Sequence, residues 1–196
     1  MWRCVVPAIL ITLFSSCREE QNRTTASTAE LPSVVLKSID GKDFSVRNLL
    51  EGNCASVFFF LMPGCPMCEW YSLSIREAKN KFSDKGIAFY GIFSSDNYSD
   101  EEIISFSNNY EIDIPSLRDR DFTFAHALGA KVTPEVFILD STAAILYSGS
   151  IDNWAYAAGK VRMEATEFFL NDALENIVSG KQVIVKSTNA YGCLIE

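Results

Sequence analysis

The sequence has one histidine, no run of lysine or arginine, and no apolar stretch long enough to cross a membrane as a helix. Each absence excludes a class of function. With 17 basic against 25 acidic side chains and a formal net charge of -8, the chain lacks the basic footprint that a phosphate backbone requires, so nucleic acid is not an expected partner. One histidine beside scattered cysteines is a poor match to the paired-ligand spacing of zinc sites, and no metal is assigned. Six cysteines in 196 residues are too few for a disulfide-stapled mini-protein, yet enough that each needs a purpose. What is present, 48% hydrophobic and 21% charged residues over a length suited to one domain, is the composition of a globular protein with a sizeable core.

Residues 1–16 carry a single basic side chain, Arg3, followed by an apolar run over 5–14. That run is half of the ~20 residues a spanning helix needs and reads as the core of a signal peptide. Ser15 and Ser16 directly precede Cys17, an arrangement that resembles the lipobox of bacterial lipoproteins. The resemblance implies that Cys17 is acylated and holds the protein on a membrane of the bacterial cell envelope, facing the periplasm or the cell surface, since each buried CH₂ contributes about 0.8 kcal/mol. An ordinary cleaved signal and a retained anchor are the alternatives. Residues 18–30 have no large apolar side chain and read as a flexible tether. The expected division is therefore a signal peptide at 1–16, a lipidated cysteine and tether at 17–30, a folded domain at 31–180, and a tail at 181–196.

From Leu31 onward, strand-like and helix-like segments alternate, the pattern of an α/β sheet with helices on its faces. A hairpin over 34–36 and 44–46 turns through Asp40-Gly41. The continuous apolar run 55–62 reads as a central strand covered on both faces. After Pro63-Gly64, the positions Cys68, Tyr71, Ile75, Ala78 and Phe82 form one stripe of a helix that Gly86 ends. A second strand at 87–93 completes a βαβ unit. Ser99 and Glu102 have capping-box spacing and open a helix to about Asn109. A short helix follows at 122–128, a strand pair at 136–139 and 145–147, and a last helix over 166–179, with Phe169, Leu170, Ala173, Leu174, Ile177 and Val178 inward.

The chemistry concentrates at Cys65-Pro66-Met67-Cys68, which follows the central strand and opens the helix. Pro66 suits the first helical position, making Cys65 the N-cap, where free backbone N–H groups and the helix dipole favour a thiolate. Cys65 is the expected nucleophile. Cys68, one turn on and in the buried stripe, is within reach of a disulfide and is the expected resolving thiol. A static disulfide or a pair of metal ligands is the plainer alternative.

Thr133-Pro134, directly before the strand at 136–139, resembles the cis-proline loop of thioredoxin-fold proteins. With the Cys-x-x-Cys at 65–68, it makes the domain resemble the thioredoxin-like redoxins, the superfamily of TlpA-type thiol-disulfide oxidoreductases and alkyl hydroperoxide reductase/thiol-specific antioxidant proteins. The resemblance implies an α/β thioredoxin-like fold with an N-terminal β-hairpin and a helical insertion at 99–128, and a substrate-binding role for Thr133 and Pro134. It implies an envelope enzyme that exchanges disulfides with exported proteins, reduced by a membrane or periplasmic electron donor, with no cofactor beyond the cysteine pair. Thr-Pro-Glu-Val-Phe-Ile-Leu-Asp at 133–140, Tyr-Ser-Gly-Ser-Ile-Asp-Asn at 147–153, Arg162, Thr166 and the tail Thr188-x-x-x-Gly192-Cys193-x-Ile195 resemble a redoxin subgroup whose tail carries a Gly-Cys pair. In that light Cys193 is a second resolving or relay thiol for Cys65, an unpaired tail cysteine, or one end of a static bridge to Cys54. The subgroup has arginine where this chain has Ser150.

Arg162 could stabilise the Cys65 thiolate or lie at the surface, and Glu135 and Glu69 could shuttle protons or be solvated acids. Cys54 reads as a small buried hydrophobe. Two other activities stay open. A copper-binding or chaperone module would use Cys65, Cys68 and His126, with Met67 as a soft ligand. A peroxiredoxin-like thiol peroxidase would call for Pro-x-x-x-Thr-x-x-Cys, whereas Phe58 and Met62 stand at the Pro and Thr positions. The loop from Trp154 through Tyr156 to Gly159 either lines a groove or packs on the surface.

Overall fold

Every residue of the apolar run Ala55–Phe60 is buried, and in a strand successive side chains point to opposite faces, so this segment can only be the middle of a sheet covered on both sides. The computed structural model describes residues 31–195 and shows that arrangement. The segments expected to be a signal peptide, a lipidated Cys17 and a tether lie outside the described residues.

In chain order the elements are β1 (Val35–Ser38), β2 (Asp43–Ser45), α1 (Val46–Leu50), β3 (Ala55–Phe60), α2 (Pro66–Phe82), β4 (Ile87–Phe93), α3 (Asp100–Asn109), β5 (Ser116–Arg118), α4 (Thr123–Leu128), β6 (Val132–Thr133), β7 (Glu135–Leu139), β8 (Ile145–Gly149), β9 (Ala155–Ala157), β10 (Lys160–Val161), α5 (Phe169–Val178) and β11 (Cys193–Leu194). Among the described residues the main sheet has seven strands in the order β2-β1-β5-β4-β3-β7-β8. β3 runs parallel to β4 and antiparallel to β7, which pairs antiparallel with β8. This is the thioredoxin-like α/β fold, with the expected N-terminal hairpin and an insertion between β4 and β7.

The sheet divides the core. Val57 and Phe59 pack with the stripe of α2 and with Leu170, Ala173 and Leu174 of α5. Phe58 and Phe60 face the other way, onto α1 and onto Phe124, Ala125 and Leu128 of α4. At the first turn, the Ser38 carbonyl accepts the Gly41 N–H at 2.9 Å, and Gly41 takes the left-handed φ of +85° that the Asp-Gly pair supplies. Ser99 and Glu102 form the expected capping box on α3.

Several expectations need correcting. Val46 does not continue the hairpin strand: Ser45 caps α1 by accepting the Asn48 N–H, so the chain turns helical there. The insertion contains a strand as well as helices, β5, which joins the hairpin to β4. The last helix begins at Phe169, because Thr166 and Glu167 are held by Asn153 instead, and Val178 is exposed. Cys54 is exposed at the end of the sheet beside Gly86, neither a core residue nor a bridge to the tail.

Candidate active site

β3 ends under the N-terminus of α2, and this sets Cys65 at its place. The Cys65 N–H donates to the Met62 carbonyl at 3.2 Å, its own carbonyl accepts the Glu69 N–H at 3.2 Å, and Pro66 stands at the first helical position. Cys65 is therefore the N-cap residue, and its side chain accepts no capping bond, so the sulfur is left to the dipole and to what faces it. What faces it is the Thr133-Pro134 peptide, which is cis. The Cys65 Sγ lies 3.3 Å from the Thr133 carbonyl oxygen, and Thr133 is buried.

The sulfur bonded to Cys65 is not that of Cys68. The structure joins Cys65 to Cys193, Cα to Cα 6.2 Å apart, across 128 residues of sequence. Cys68 is a free thiol, fully buried in the stripe of α2. Burial pushes its pKa up to about 12, and hydrogen bonds with the Met62 backbone and the Thr133 side chain offset only part of that. The spacing argument had placed Cys68 within reach of Cys65, and it had no means of weighing a partner brought in from the C-terminus.

That partner arrives on a strand. β11 pairs antiparallel with β6, Cys193 opposite Thr133 and Leu194 opposite Val132. The Thr133 hydroxyl donates to the Cys193 carbonyl at 3.4 Å, and the Ile195 N–H donates to the Lys131 carbonyl at 3.0 Å. Thr133 thus touches Cys65, Cys68 and Cys193 at once. Glu135 does not reach the sulfurs: it accepts the N–H groups of Lys131 at 2.8 Å and Val132 at 3.4 Å, which braces β6, and burial raises its carboxyl above the usual range.

The remaining candidates lie elsewhere. Arg162 is exposed and stacks 4.9 Å from the Tyr156 ring, so it holds no thiolate. His126 is exposed on α4, 6.1 Å from the Phe122 ring, on the opposite face of the sheet from α2, so the Cys65, Cys68 and His126 set is not brought together. Glu69 sits partly buried on the first turn of α2 and hydrogen-bonds with Tyr110. Trp154 packs edge-on against Trp70 and Tyr71 of α2.

Sequence reasoning did not single out Tyr71 and Asp152 as a pair. The Tyr71 hydroxyl donates to Asp152 at 2.8 Å and accepts the Ala155 N–H at 3.2 Å, fastening α2 to the loop after β8. Burial raises the Asp152 carboxyl. The motif 147–153 carried the signal, because the Tyr147 hydroxyl donates to the Ser150 carbonyl and its other polar groups bond the tail and the neighbouring loop. Tyr147 and Ser150 hold Thr188, and Asn153 holds Thr166.

Among solved structures, the chain is similar to an uncharacterized conserved protein from Geobacillus kaustophilus, 23% identical, with 85% of this chain and 89% of that one covered and a TM-score of 0.72. It is also similar to a hypothetical protein from Sinorhizobium meliloti, 25% identical over 83% of this chain and 89% of that one, TM-score 0.69. A secreted Mycobacterium tuberculosis disulfide oxidoreductase homologous to Escherichia coli DsbE shares the fold at 17% identity, TM-score 0.53, covering 77% of this chain and 98% of that one. No curated protein matches. The family model that matches is Redoxin, over residues 26–154. With that match over most of the chain, a thioredoxin-like sheet and a helix-capping cysteine opposite a cis proline, the chain belongs to the Redoxin family.

Proposed function

We propose that the protein is a thiol-disulfide oxidoreductase of the bacterial envelope, anchored through a lipid on Cys17, that exchanges disulfides with exported proteins through Cys65. One observation carries this reading. Cys65 caps a 17-residue helix and already holds a second cysteine in a disulfide, with that cysteine on a strand paired to the residue before the cis proline. A site arranged in this way accepts a sulfur presented by an extended polypeptide.

In the reductive direction the Cys65 thiolate, favoured by the free N–H groups at the start of α2, attacks one sulfur of a substrate disulfide. A bond forms between Cys65 and that sulfur, and the other substrate sulfur leaves as a thiolate and takes a proton from water. Cys68 then gives up its proton and attacks the Cys65 Sγ, forming a Cys65–Cys68 disulfide and releasing the second substrate thiolate. Two electrons have passed to the substrate, and a dithiol protein of the membrane or periplasm returns them. Thr133 and the Met62 backbone are placed to favour the Cys68 thiolate against the burial that opposes it. No organic cofactor takes part.

The test is trapping in envelope extracts with a Cys68→Ala, Cys193→Ser double variant, which leaves Cys65 without an internal sulfur to resolve it. Mixed disulfides between Cys65 and exported proteins are the expected products. Absence of any adduct, with Cys65 resistant to alkylation at pH 7, would sink the reading.

A further inference from the structure

The tail docks in two pieces of different character. Over 186–189 it is built in: the Ser148 N–H donates to the Lys186 carbonyl and the Thr188 N–H to the Ser148 carbonyl, both at 3.0 Å. The Thr188 hydroxyl meets the Tyr147 hydroxyl at 2.7 Å and accepts the Ser150 N–H at 2.9 Å, while the Ser150 hydroxyl donates to the Asn189 carbonyl at 2.7 Å. A Cβ on Gly149 would run into Thr188, so this approach is closer than any side chain there would permit. Ala190, Tyr191 and Gly192 then lead to β11, which has two residues on the edge of β6, one further backbone bond, the Thr133 hydroxyl on the Cys193 carbonyl, the disulfide, and Tyr191 and Ile195 only partly buried against the core. Leu194 is 60% exposed.

Gly192 fixes the register. A Cβ there would lie 2.7 Å from the Thr133 carbonyl carbon, closer still to its oxygen, and 3.3 Å from the Pro134 nitrogen. These are backbone atoms beside a buried proline, which no rotamer change can move aside. Whatever strand occupies this edge with its cysteine opposite Thr133 therefore needs glycine just before the cysteine. On the other side of the cysteine, Leu194 is one of the residues lining an open cleft of about 640 Å³, with Met62, Tyr98 and Tyr110 but also Glu69, Glu102 and Asn109.

We infer that residues 192–195 are a tethered substrate mimic: the β6 edge receives extended polypeptides that present a Gly-Cys pair, and Cys193 occupies that place until a substrate does. The inference rests on the oxidoreductase reading and names its substrate class. The Cys65–Cys193 bond is then an internal mixed disulfide. Cys68 loses its proton and attacks the Cys65 Sγ, the Cys65–Cys68 bond forms, the Cys65–Cys193 bond breaks, and Cys193 leaves as a thiolate that takes up the proton. One disulfide and one thiol are present before and after, so the step needs no outside oxidant or reductant. Cys68 approaches from the helix interior and Cys193 from the tail, so departure of one frees the edge while the other holds Cys65. The anchor at 186–189 keeps the mimic close at hand, and a short tether gives a local concentration in the millimolar range.

The test uses the reduced Cys193→Ser full-length protein, whose edge a substrate can enter, and two symmetric peptide disulfides copying residues 190–195, one with the native glycine before cysteine and one with alanine there. A small aromatic disulfide, which needs no strand pairing, is the control. The glycine peptide is expected to be reduced about tenfold faster than the alanine peptide, the ratio that a modest steric conflict gives. In a second measurement, Gly192→Ala in the otherwise native chain is expected to lower the ratio of Cys65–Cys193 to Cys65–Cys68 about tenfold in a disulfide map at equilibrium. Equal peptide rates, reduction of the aromatic disulfide but of neither peptide, or an unchanged map for Gly192→Ala overturns the mimic alone. Failure to reduce even the aromatic disulfide overturns the oxidoreductase reading, and the mimic with it.

Discussion

The two faces of the central sheet are built on opposite plans. Under α1 and α4, Phe58, Phe60, Phe124 and Phe137 stack among aliphatic side chains with ring centroids 5.1 to 5.9 Å apart. Under α2 and α5 the same sheet also buries polar groups: Cys68, Tyr71, Tyr147 and Asp152 are each nearly or wholly enclosed, and each has a polar partner. The first face has polar bonds of its own, since the Ser56 and Tyr90 hydroxyls donate to the Leu49 carbonyl and Asp119 accepts the Phe124 and Ala125 N–H groups, but its rings contribute mainly packing energy. A face with bonded hydroxyls, a carboxylate and a thiol can position a helix N-terminus against a loop, because each bond fixes a direction as well as a distance. Both faces pack a core, and the sulfur geometry lies on one of them.

The largest effect that would test this division is on the aromatic side. Phe58 is fully buried, 5.1 Å edge-on to Phe124 and 5.3 Å from Tyr90. Phe58→Ala should lower unfolding free energy by about 3–5 kcal/mol, measured by denaturant titration. Below the new transition, a disulfide map should still show Cys65 bonded to Cys193. A changed map in folded protein would mean that the two faces are not separate.

A smaller effect is expected opposite. Tyr71→Phe removes the donor to Asp152 and leaves the buried Ala155 N–H without an acceptor, at a cost of about 1–3 kcal/mol. Here the site should respond as well as the stability. The loop of Ser150 and Asp152 connects α2 to the anchor of the tail, so the exchange rate at Cys65, followed with a small disulfide, should change along with the denaturation midpoint. A variant that loses stability with no change in that rate would make Tyr71 a packing residue like Phe58.

How much of this could be read from the chain depends on the range of each interaction. The stripe of α2 and the apolar run of β3 repeat over many residues, so their period shows in the sequence, and with them the place of Cys65 at a helix start. The elements α1 and β5 have five and three residues, too few for a period to appear. Cys54 was misread because cysteine is usually buried, while its position one residue before β3 puts it at the exposed end of the sheet. The bond to Cys193 depends on a two-residue strand whose partner lies 60 residues earlier and has no pattern of its own. Only the resemblance of the tail to other redoxins pointed there, and it left the pairing open. The polar residues of 147–153 were visible as a motif, but that they bind Thr188 and the neighbouring loop could be seen only in three dimensions.

The smallest of the three effects is a pH dependence, and its sign reports the burial of the Cys68 thiol. The Cys68 pKa rises from 9.0 to about 12 on folding because burial disfavours the thiolate. Between those values the folded state holds a proton that the unfolded chain has begun to release, so stability is complete below pH 9 and falls as pH rises. From pH 9 to 10 the loss should be about 1 kcal/mol. Tyr71, Tyr98 and Tyr147 are also raised, from a starting value of 10.0, and together they add a loss of similar size over that step, about 1 kcal/mol. Denaturant titrations at pH 8, 9 and 10 on the native chain and on Cys68→Ala should show a fall in both, about half as steep between pH 9 and 10 in the second, where only the tyrosines remain. An equal slope in both would place its source outside α2, and would remove the burial argument for why Cys68 waits as a protonated thiol until Cys65 has been engaged.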